Sequence, residues 1–358
     1  MAARGTAVAA LTALPLYQLS TAGMELFHTN VLYWLAVHRP KKSASLWRAL
    51  GLHTVHAALQ EPFIRREWRH VDLVFATGVG QPALVVENKI GAIPTAEQLI
   101  RYQDDVSRSL PTQSDTVAYV LLTLTPPMFT VPEPWRSVTY RDLLSALRET
   151  AGQLSGDEAV LVSSYAAMVA RLDEVARLYD PAGTLDEAVR LSRVERDALA
   201  DARLLSLVEK VRAGRFAVLA TRAIGDVLGE VVEVRSGLSN GSGLNDWFLA
   251  GPAGRRFGWQ VQGEQFRLAI VTGPDDPRDR PRREDLVQDL YEPFFHFTPP
   301  DHLRHALEGY TGKKVWLGYE PNFVYRYAEI TPSTTWAELL TLAVWFTGRT
   351  YAFVDQMR

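Results

Sequence analysis

The sequence predicts an α/β fold with one mixed β-sheet flanked by helices, followed by a C-terminal α+β domain. Two observations support this. Along the first 170 residues or so, the runs follow in the order helix, strands, helix, strand, helix, which is typical of a sheet between helices. From about Val231 the runs become short, aromatic and glycine-rich, and a helical segment ends the chain.

The first elements are two helices and two strands. Apolar residues at steps of three and four predict a helix over 24–38, and a second helical run covers 44–59. The segments 62–75 and 82–90 are each predicted to form one strand. Two glycines in the connecting TGVGQ loop fit a hairpin.

The next elements complete the first domain. Thr95 precedes a helical run, and Gln98 follows it at the spacing of a capping box. The residues 117–125 are predicted to form a buried strand, and 137–150 begin as a strand and pass into a helix. The chain is therefore predicted to add a helix, a further strand and a segment that passes from strand to helix.

The rest of the chain is predicted in two parts. Helices cover about 156–228, with a break at PAGT, and antiparallel strands and one or two helices follow. The GxG in SNGSG is interpreted as a turn. These patterns give three segments: a first domain at 1–170, a helical connector at 171–230 and a C-terminal α+β domain at 231–358.

Composition limits the possible functions. The chain has 358 residues, a formal net charge of -3 and no cysteine. A dedicated non-specific DNA-binding protein is usually more basic, so affinity for nucleic acid must come from a local patch or a partner. The lack of cysteine excludes disulfides, zinc–thiolate fingers and thiol catalysis, and it suits a cytoplasmic protein.

Membrane insertion and secretion are not expected. No apolar run approaches the roughly 20 residues of a membrane-spanning helix. The first 23 residues share features with a signal peptide, including an early arginine and small residues. Their apolar run is short and interrupted by Pro15, and a predicted helix follows at once. We therefore expect a cytoplasmic protein whose first residues are a short covering helix or an upstream start artefact.

Charged residues inside the two predicted strands indicate a site. Glu87 and Lys89 are two positions apart in a strand, so they point to the same face, and Asn88 points to the other. If the strands pair as a hairpin, Asp72 can lie beside Glu87. Carboxylate pairs bind hard divalent cations, and a neighbouring lysine can orient or help to deprotonate a metal-bound water. Such a cluster suits phosphodiester hydrolysis.

The order of these motifs resembles the PD-(D/E)XK nuclease superfamily, in a bacterial branch with the pattern E…D…ENK…QLxxY. A D…ExK pattern alone is common by chance, whereas the ordered series is much more specific. The resemblance covers about residues 20–170 and implies a restriction-endonuclease-like core. Val71 stands where the superfamily name has proline. The residues that carry the resemblance are Glu25, Asp72, Glu87, Lys89, Gln98 and Tyr102.

The resemblance implies a role for each of these residues. Asp72 and Glu87 would hold the metal together with the backbone carbonyl of Asn88. Lys89 would position the attacking water and offset charge on the phosphate. Glu25 would bind metal through water or orient Lys89. The catalytic set is completed by Gln98, which would face the site and touch phosphate or Lys89.

Structural interpretations compete with these roles. The charged cluster could be a surface salt bridge, although its apolar flanks argue against that. Glu25 could stabilise the helix dipole, and Gln98 could belong to a capping box. Tyr102 is a candidate nucleic-acid contact or a core residue. Two interpretations also apply to Arg65, Arg66 and Arg69. These side chains could line the path of the nucleic-acid phosphates, or they could be solvated side chains on an exposed strand face.

The function predicted from these features is a metal-dependent nuclease using Mg²⁺, with Mn²⁺ as a substitute. By resemblance, DNA is the expected substrate and bacterial defence or DNA maintenance the expected role. The alternatives are a non-catalytic nucleic-acid-binding or scaffolding protein on a nuclease fold, and a hydrolase of nucleotides. A homodimer, and a protein partner at the C-terminal domain, stay open. Bases mixed with aromatics there suit nucleic-acid contact or protected edge strands equally.

Overall fold

The computed structural model describes residues 2–20, 25–52, 63–77, 81–90, 95–108, 117–273, 291–309, 316–317 and 323–357. The chain divides into two compact units. The first consists of residues 1–179 and 197–208, and the second of residues 180–196 and 209–358. The boundaries predicted near residues 170 and 230 stay a prediction.

In the described ranges, the first unit contains five strands and most of the helices. Its helices are α1 (Ala2–Thr12), α2 (Pro15–Ser20), α3 (Glu25–His38), α4 (Ala44–Ala49), α5 (Ala96–Arg108), α6 (Tyr140–Gln153) and α7 (Gly156–Leu178). Its strands are β1 (Phe63–Trp68), β2 (Val71–Thr77), β3 (Gln81–Lys89), β4 (Ala118–Thr123) and β5 (Trp135–Thr139). The helix predicted over 44–59 is described only in its first part, since residues 53–60 lie outside the described ranges.

The five strands form one mixed sheet in the order β1-β2-β3-β4-β5. The first three strands are antiparallel neighbours, whereas β3, β4 and β5 run parallel. Parallel neighbours need a crossover, and α5 occupies the connection between β3 and β4. The predicted α/β fold with a mixed sheet is therefore confirmed.

The prediction of a single strand over 62–75 was wrong. The described part of this segment is a hairpin, in which β1 and β2 pair with Trp68 opposite Val71. The chain reverses at Arg69 and His70, which adopt φ values of 53° and 70°. Left-handed conformations at such turns usually select Gly, Asn or Asp. Because this turn contains none of these three residues, it was not evident from the sequence.

The two faces of this sheet pack against different helices. The face that carries Glu87 and Lys89 lies against α5, through a buried cluster that includes Leu99, Tyr102, Val106, Val85, Tyr119, Leu121 and Trp135. On the opposite face, the ring centroids of Trp47 in α4 and Phe75 in β2 are 4.5 Å apart. The charged cluster predicted from the sequence is therefore part of a sheet that helices enclose.

The division between the units passes through two helices, α8 (Arg193–Asp201) and α9 (Leu205–Leu228). The second unit adds the strands β6 (Arg235–Ser239), β7 (Ser242–Ala250), β8 (Arg256–Gln262), β9 (Gln265–Val271), β10 (Leu307–Glu308), β11 (Trp316–Leu317) and β12 (Phe323–Ile330), and the helix α10 (Trp336–Gln356). Short 3-10 helices are Pro181–Gly183, Pro252–Gly254, Glu292–Phe295 and Asp301–Ala306.

The strands of the second unit form an antiparallel sheet. Six follow the order β10-β12-β9-β8-β7-β6, and β11 also pairs with β12. Trp259, Phe266 and Phe346 lie in a large apolar core between this sheet and α10. Asn240 and Gly241, with φ values of 51° and 76°, make the tight turn between β6 and β7. The interpretation of SNGSG as a turn is confirmed, whereas the charged loop at 274–285 lies outside the described residues.

No helix within the described ranges has both the length and the apolar character that a bilayer crossing requires.

Candidate active site

The register of the hairpin brings the two predicted acidic residues together. In the antiparallel pair of β2 and β3, Leu73 lies opposite Val86, and one further step along the ladder puts Asp72 opposite Glu87. Since β3 is also paired with β4, Glu87 lies on an interior strand, and its residue is only 1% exposed. The sequence pattern therefore places two carboxylates side by side in the middle of a sheet.

A single ammonium group lies among the acidic side chains. The Lys89 Nζ is 2.8 Å from Glu87 Oε1 and 3.4 Å from Glu25 Oε2. Glu25 begins α3, so this contact joins the helix to β3 across 64 positions of the chain. Asp72 Oδ2 accepts a hydrogen bond from the Asn88 backbone N–H at 2.7 Å. The structure thus brings together the four predicted residues Glu25, Asp72, Glu87 and Lys89.

The carboxylates outweigh the positive charge at this site. The pKa of Glu87 is raised to about 8, first by burial and then by the charge of Asp72, while Lys89 opposes the shift. Burial also raises the pKa of Asp72, although the Asn88 N–H and the charge of Lys89 act in the other direction. The raised carboxyl pKa values therefore come first from burial, which the charge of Lys89 does not fully offset.

Lys89 is held as an ammonium group. Burial lowers its pKa, but the charge and hydrogen bond of Glu87 and the charges of Glu25 and Asp72 outweigh burial, so the pKa lies above its ordinary value. A protonated lysine can attract a phosphate oxygen or orient a water molecule. It cannot accept a proton in this state.

One atom of Glu87 has no partner. Among the described residues, Glu87 Oε2 is buried and makes no hydrogen bond. A buried carboxylate oxygen without a partner is costly, and a divalent cation bound by oxygen ligands would satisfy it. The predicted donor set, two carboxylates and the main-chain carbonyl of Asn88, therefore fits a hard metal ion.

Within the described ranges, no group of three or more His, Cys, Asp or Glu side chains is arranged to hold a metal ion. The predicted set does not require such a group, because its third ligand is the backbone carbonyl of Asn88. Sites for Mg²⁺ commonly use one or two carboxylates and keep several waters. The geometry of the chain is thus compatible with that small set.

The Asn88 side chain has a structural role that sequence reasoning missed. Its side-chain amide donates to Glu25 O and to Thr29 Oγ1, both at 3.1 Å. Its Oδ1 accepts a hydrogen bond from the Tyr140 hydroxyl at 2.9 Å. Asn88 therefore fixes the first turn of α3 against β3, on the face opposite Lys89. Strand alternation alone indicated where this side chain points, but not that it meets two helices.

Buried aromatic and histidine side chains surround the Tyr140 hydroxyl that contacts Asn88. Tyr140, Tyr165 and His28 are fully buried, and the Tyr165 hydroxyl is 3.0 Å from His28 Nδ1. Burial raises the pKa of both tyrosines and lowers that of His28 to about 3. These groups are neutral at physiological pH, and they form a polar layer that supports the site.

Comparison with known families identifies this part of the molecule. Residues 16–169 match the family model of the PD-(D/E)XK nuclease superfamily. The superfamily predicted from the sequence is thereby confirmed over that segment, which is less than half of the 358 residues. No curated protein and no solved structure gave a match.

The match indicates a metal-dependent nuclease, since nucleases of the PD-(D/E)XK superfamily generally use divalent metal ions. The matched segment contains the whole mixed sheet and the cluster of Glu25, Asp72, Glu87 and Lys89. The cluster predicted from the sequence therefore lies inside the segment that matches the family.

The superfamily pattern also predicted Gln98 and Tyr102 at the site. The Gln98 backbone N–H donates to Thr95 Oγ1 at 3.2 Å, so the expected helix cap forms. The Gln98 side-chain amide donates to the Tyr102 hydroxyl at 2.6 Å. Tyr102 is largely buried, and its ring stacks with that of His70 at 6.5 Å between centroids. The two residues form one pair on α5, and their contact with phosphate stays a prediction.

The three arginines predicted as nucleic-acid contacts lie on or beside the edge strand β1. Arg65, Arg66 and Arg69 are all exposed. Arg66 donates to Asn30 Oδ1 and its guanidinium carbon lies 4.7 Å from the centre of the Tyr33 ring, so it packs on α3. Their place at a sheet edge is compatible with a phosphate path, and that role also stays a prediction.

Proposed function

We propose that the chain is an Mg²⁺-dependent nuclease that hydrolyses phosphodiester bonds of DNA, with Mn²⁺ as a working substitute. The proposal rests above all on Glu87, whose Oε2 is buried without a partner beside a second carboxylate. In a structural ion pair, both carboxylate oxygens would have protein partners, whereas in a metal ligand one oxygen is left to bind the ion. The superfamily match over residues 16–169 supplies the reaction class.

The metal ligands in this proposal are Asp72, Glu87 and the backbone carbonyl of Asn88. When bound, a divalent ion supplies Lewis-acid activation of water and neutralises phosphate charge. Asp72 already has one oxygen fixed by the Asn88 N–H at 2.7 Å, so its orientation is set by β3 itself. This preorganisation lowers the entropic cost of assembling the site.

Lys89 is proposed to position the attacking water and to offset charge on the phosphate. Its ammonium lies between Glu87 and Glu25, which keep it protonated and hold it in place. Glu25 would then act through Lys89 or through a water molecule. Fixed positive charge in a site of low exposure stabilises developing negative charge more than it would in water.

Further contacts to the substrate are proposed on both sides of the cluster. Gln98, with its partner Tyr102, would bind a phosphate near the N-terminal end of α5. Arg65, Arg66 and Arg69 would follow the backbone along the edge strand, since arginine binds phosphates through several donors. A role in bacterial defence or DNA maintenance is proposed from the resemblance alone. The cytoplasmic location is proposed from the lack of cysteine, and a homodimer and a protein partner of the C-terminal region stay open.

Cleavage of supercoiled plasmid and of single-stranded DNA tests the reaction. The wild type would be assayed with Mg²⁺, with Mn²⁺ and with EDTA, beside Asp72→Asn and Lys89→Met. We expect cutting with either metal, none with EDTA, and a loss on the order of 10³-fold in each variant, equivalent to about 4 kcal/mol. Matched controls are Asp104→Asn and Lys41→Met, at exposed positions, which should cut like the wild type.

Metal binding gives a readout that does not depend on activity. Calorimetry with Mg²⁺ or Mn²⁺ should detect binding to the wild type and to Lys89→Met, but not to Asp72→Asn. Metal binding without cleavage of plasmid, single strands or nucleotides would favour the non-catalytic alternative. Preferential hydrolysis of nucleotides would favour the other hydrolase, and cutting that survives both variants would contradict this active site.

A further inference from the structure

The second unit has a cavity that the nuclease assignment leaves without a function. It has a volume of about 850 Å³ and lies on the side of the sheet that faces away from the core. Alternation along β8 and β9 sends Trp259 and Phe266 into the core and Gln260 and Arg267 to the cavity. We name this side the aromatic face, defined by Phe248, Arg256, Gln260, Arg267, Phe323 and Tyr325.

Aromatic rings form a continuous row on this face. The Phe323 centroid is 6.2 Å from that of Phe248 and 5.6 Å from that of Tyr325. Tyr327 extends the row, 6.4 Å beyond Tyr325. All four side chains are only partly buried, although the opposite side of the same sheet is fully packed. Rings that are not needed to fill a core offer flat apolar surfaces to a ligand.

Arg267 contributes a positive charge that has no acidic partner in the described part of the chain. Its guanidinium donates to the side-chain oxygens of Gln260, Gln262 and Gln265. It also lies 4.5 Å from the centre of the Tyr325 ring. Burial lowers the pKa of Arg267, which shows that the charge is poorly solvated. Neutral amides hold its geometry but do not neutralise it, so an anionic ligand would be attracted.

The described residues that line the cavity carry a net positive charge. Their charged members are three arginines and one aspartate. Arg235 is paired with Asp246, at 2.9 Å between Nη2 and Oδ1, so these two charges offset each other. Arg256 is exposed, and its guanidinium carbon lies 5.8 Å from the centre of the Phe248 ring. Arg256 and Arg267 thus add two positive charges to the row of rings.

We propose that the aromatic face binds single-stranded nucleic acid, with bases stacked on its rings and phosphates attracted to its arginines. Single-strand binding proteins combine these two features, and stacking on side chains tolerates any base. A cavity of this volume is in the range of small-ligand sites, so it would hold a short stretch of nucleotides. The proposal is independent of the nuclease reaction.

The ring spacing favours a single strand over a duplex. Neighbouring rings are 5.6–6.4 Å apart, whereas stacked bases in one strand of B-DNA are about 3.4 Å apart. Bases that lie on successive rings must therefore be separated from each other. A duplex keeps its base faces covered, and an acidic peptide has no flat rings to use the row. Both remain as competitors in the test.

Fluorescence anisotropy of a labelled single-stranded oligonucleotide of about 16 nucleotides would measure this binding. The full-length chain would carry Asp72→Asn, and the buffer would contain EDTA, so that no cleavage interferes. We expect Phe323→Ala and Tyr325→Ala each to weaken binding by roughly five- to 150-fold, the range reported for loss of one stacking ring. Tyr325→Phe keeps a ring and should bind within about two-fold of the parent.

Matched control variants show whether a loss of binding comes from the aromatic face or from another part of the second unit. Trp345→Ala removes an exposed ring of α10 outside the cavity and should leave affinity unchanged. Arg256→Gln should reduce the slope of log affinity against log salt by about 0.7, the value for one phosphate contact in a single strand. Arg304→Gln, at an exposed arginine paired with Asp301, should not change the slope. Thermal unfolding checks that each variant is folded.

The binding measurements can either support or overturn the proposal. Weaker binding by the two ring variants but not by Tyr325→Phe or Trp345→Ala, with tighter binding of single strands than of duplex, supports the proposal. Parent-like affinity in both ring variants would overturn it, and so would preference for duplex or equal displacement by polyglutamate. Because binding is measured without cleavage, a chain that fails to cut DNA can still bind through this face, and a nuclease can lack the binding.

Discussion

Each of the two sheets buries a charged side chain on an interior strand, but the charges have different environments. Arg326 on β12 is fully buried and donates through both Nη atoms to the two oxygens of Glu292, at 2.8 and 2.6 Å. Glu87 on β3 shares one oxygen with Lys89 and leaves the other without a partner in the described structure. A bidentate pair is a structural solution to burial, whereas an excess of carboxylate indicates a site for an external cation.

Glu87→Gln would test this difference with the largest expected effect. The substitution keeps the size of the side chain and removes the charge that a metal needs. Cleavage should fall on the order of 10³-fold, about 4 kcal/mol in transition-state stabilisation. In EDTA the melting temperature should not fall, since the pKa of about 8 shows that the buried charge is itself unfavourable. A large loss of stability with unchanged cleavage would make Glu87 a structural residue.

Arg326→Met should show the opposite behaviour. It leaves Glu292 without its bidentate partner, and about 3 kcal/mol of unfolding free energy should be lost, less than for a pair buried on both sides because Glu292 is 36% exposed. Chemical denaturation measures this loss. Arg171→Met, which removes a surface pair with Glu174, should cost no more than about 0.5 kcal/mol. Equal losses in both variants would show that burial does not distinguish them.

The buried histidine of the first unit should make its stability depend on pH. Folding holds His28 neutral down to a pKa of about 3, whereas an unfolded histidine takes a proton near pH 6.5. The unfolded state therefore binds more protons between these values, and stability is lost as the pH falls through them. At pH 5 the loss is about 2 kcal/mol.

Denaturation of wild type and His28→Gln between pH 5 and 7 measures this contribution. Glutamine can still hydrogen-bond the Tyr165 hydroxyl but cannot take up a proton in this range. The pH dependence should therefore be shallower in the variant by that amount. Identical slopes in the two proteins would show that His28 is already solvated in the native state.

The smallest expected effects on stability come from the helix N-caps, which occur in both units. Thr139 caps α6 and Thr335 caps α10, each in a capping box with an acidic residue three positions on. Thr139→Ala and Thr335→Ala should each cost about 1 kcal/mol in unfolding free energy. Since the geometry is the same, similar losses are expected, and they calibrate the two larger stability effects. A much larger loss at one site would mean that its threonine has a further role.

Much of the fold and the charged cluster could be predicted because the signals were local. Alternation in LVVENKI placed Glu87 and Lys89 on one face, and the structure confirms their proximity. The hairpin turn at Arg69 and His70 could not be predicted, since its residues lack the usual preference for left-handed backbone. The strand prediction failed there although both strands were correctly expected to be extended.

Contacts over long separations were beyond prediction from local pattern. The bonds of Asn88 to Thr29 and Tyr140 join residues 59 and 52 positions apart, and nothing near Asn88 in the sequence indicates them. The Gln98 capping interaction was predicted from its spacing, but the bond of its amide to Tyr102 was not. In the second unit, the sequence indicated a mixture of bases and aromatics, and strand register was needed to show which of them share a face.

The hydrogen bonds of Asn88 also determine the order in which the site can assemble during protein synthesis. A chain leaving the ribosome exposes Asp72, Glu87 and Lys89 before Tyr140, which fixes the Asn88 oxygen, has been added. N-terminal domains fold during synthesis at roughly 5–20 residues per second, so the unfinished chain spends several seconds without this support. The proposed nuclease therefore reaches its full geometry only after α6 has docked, and an unfinished fragment carries the proposed catalytic residues without the structure that orients them.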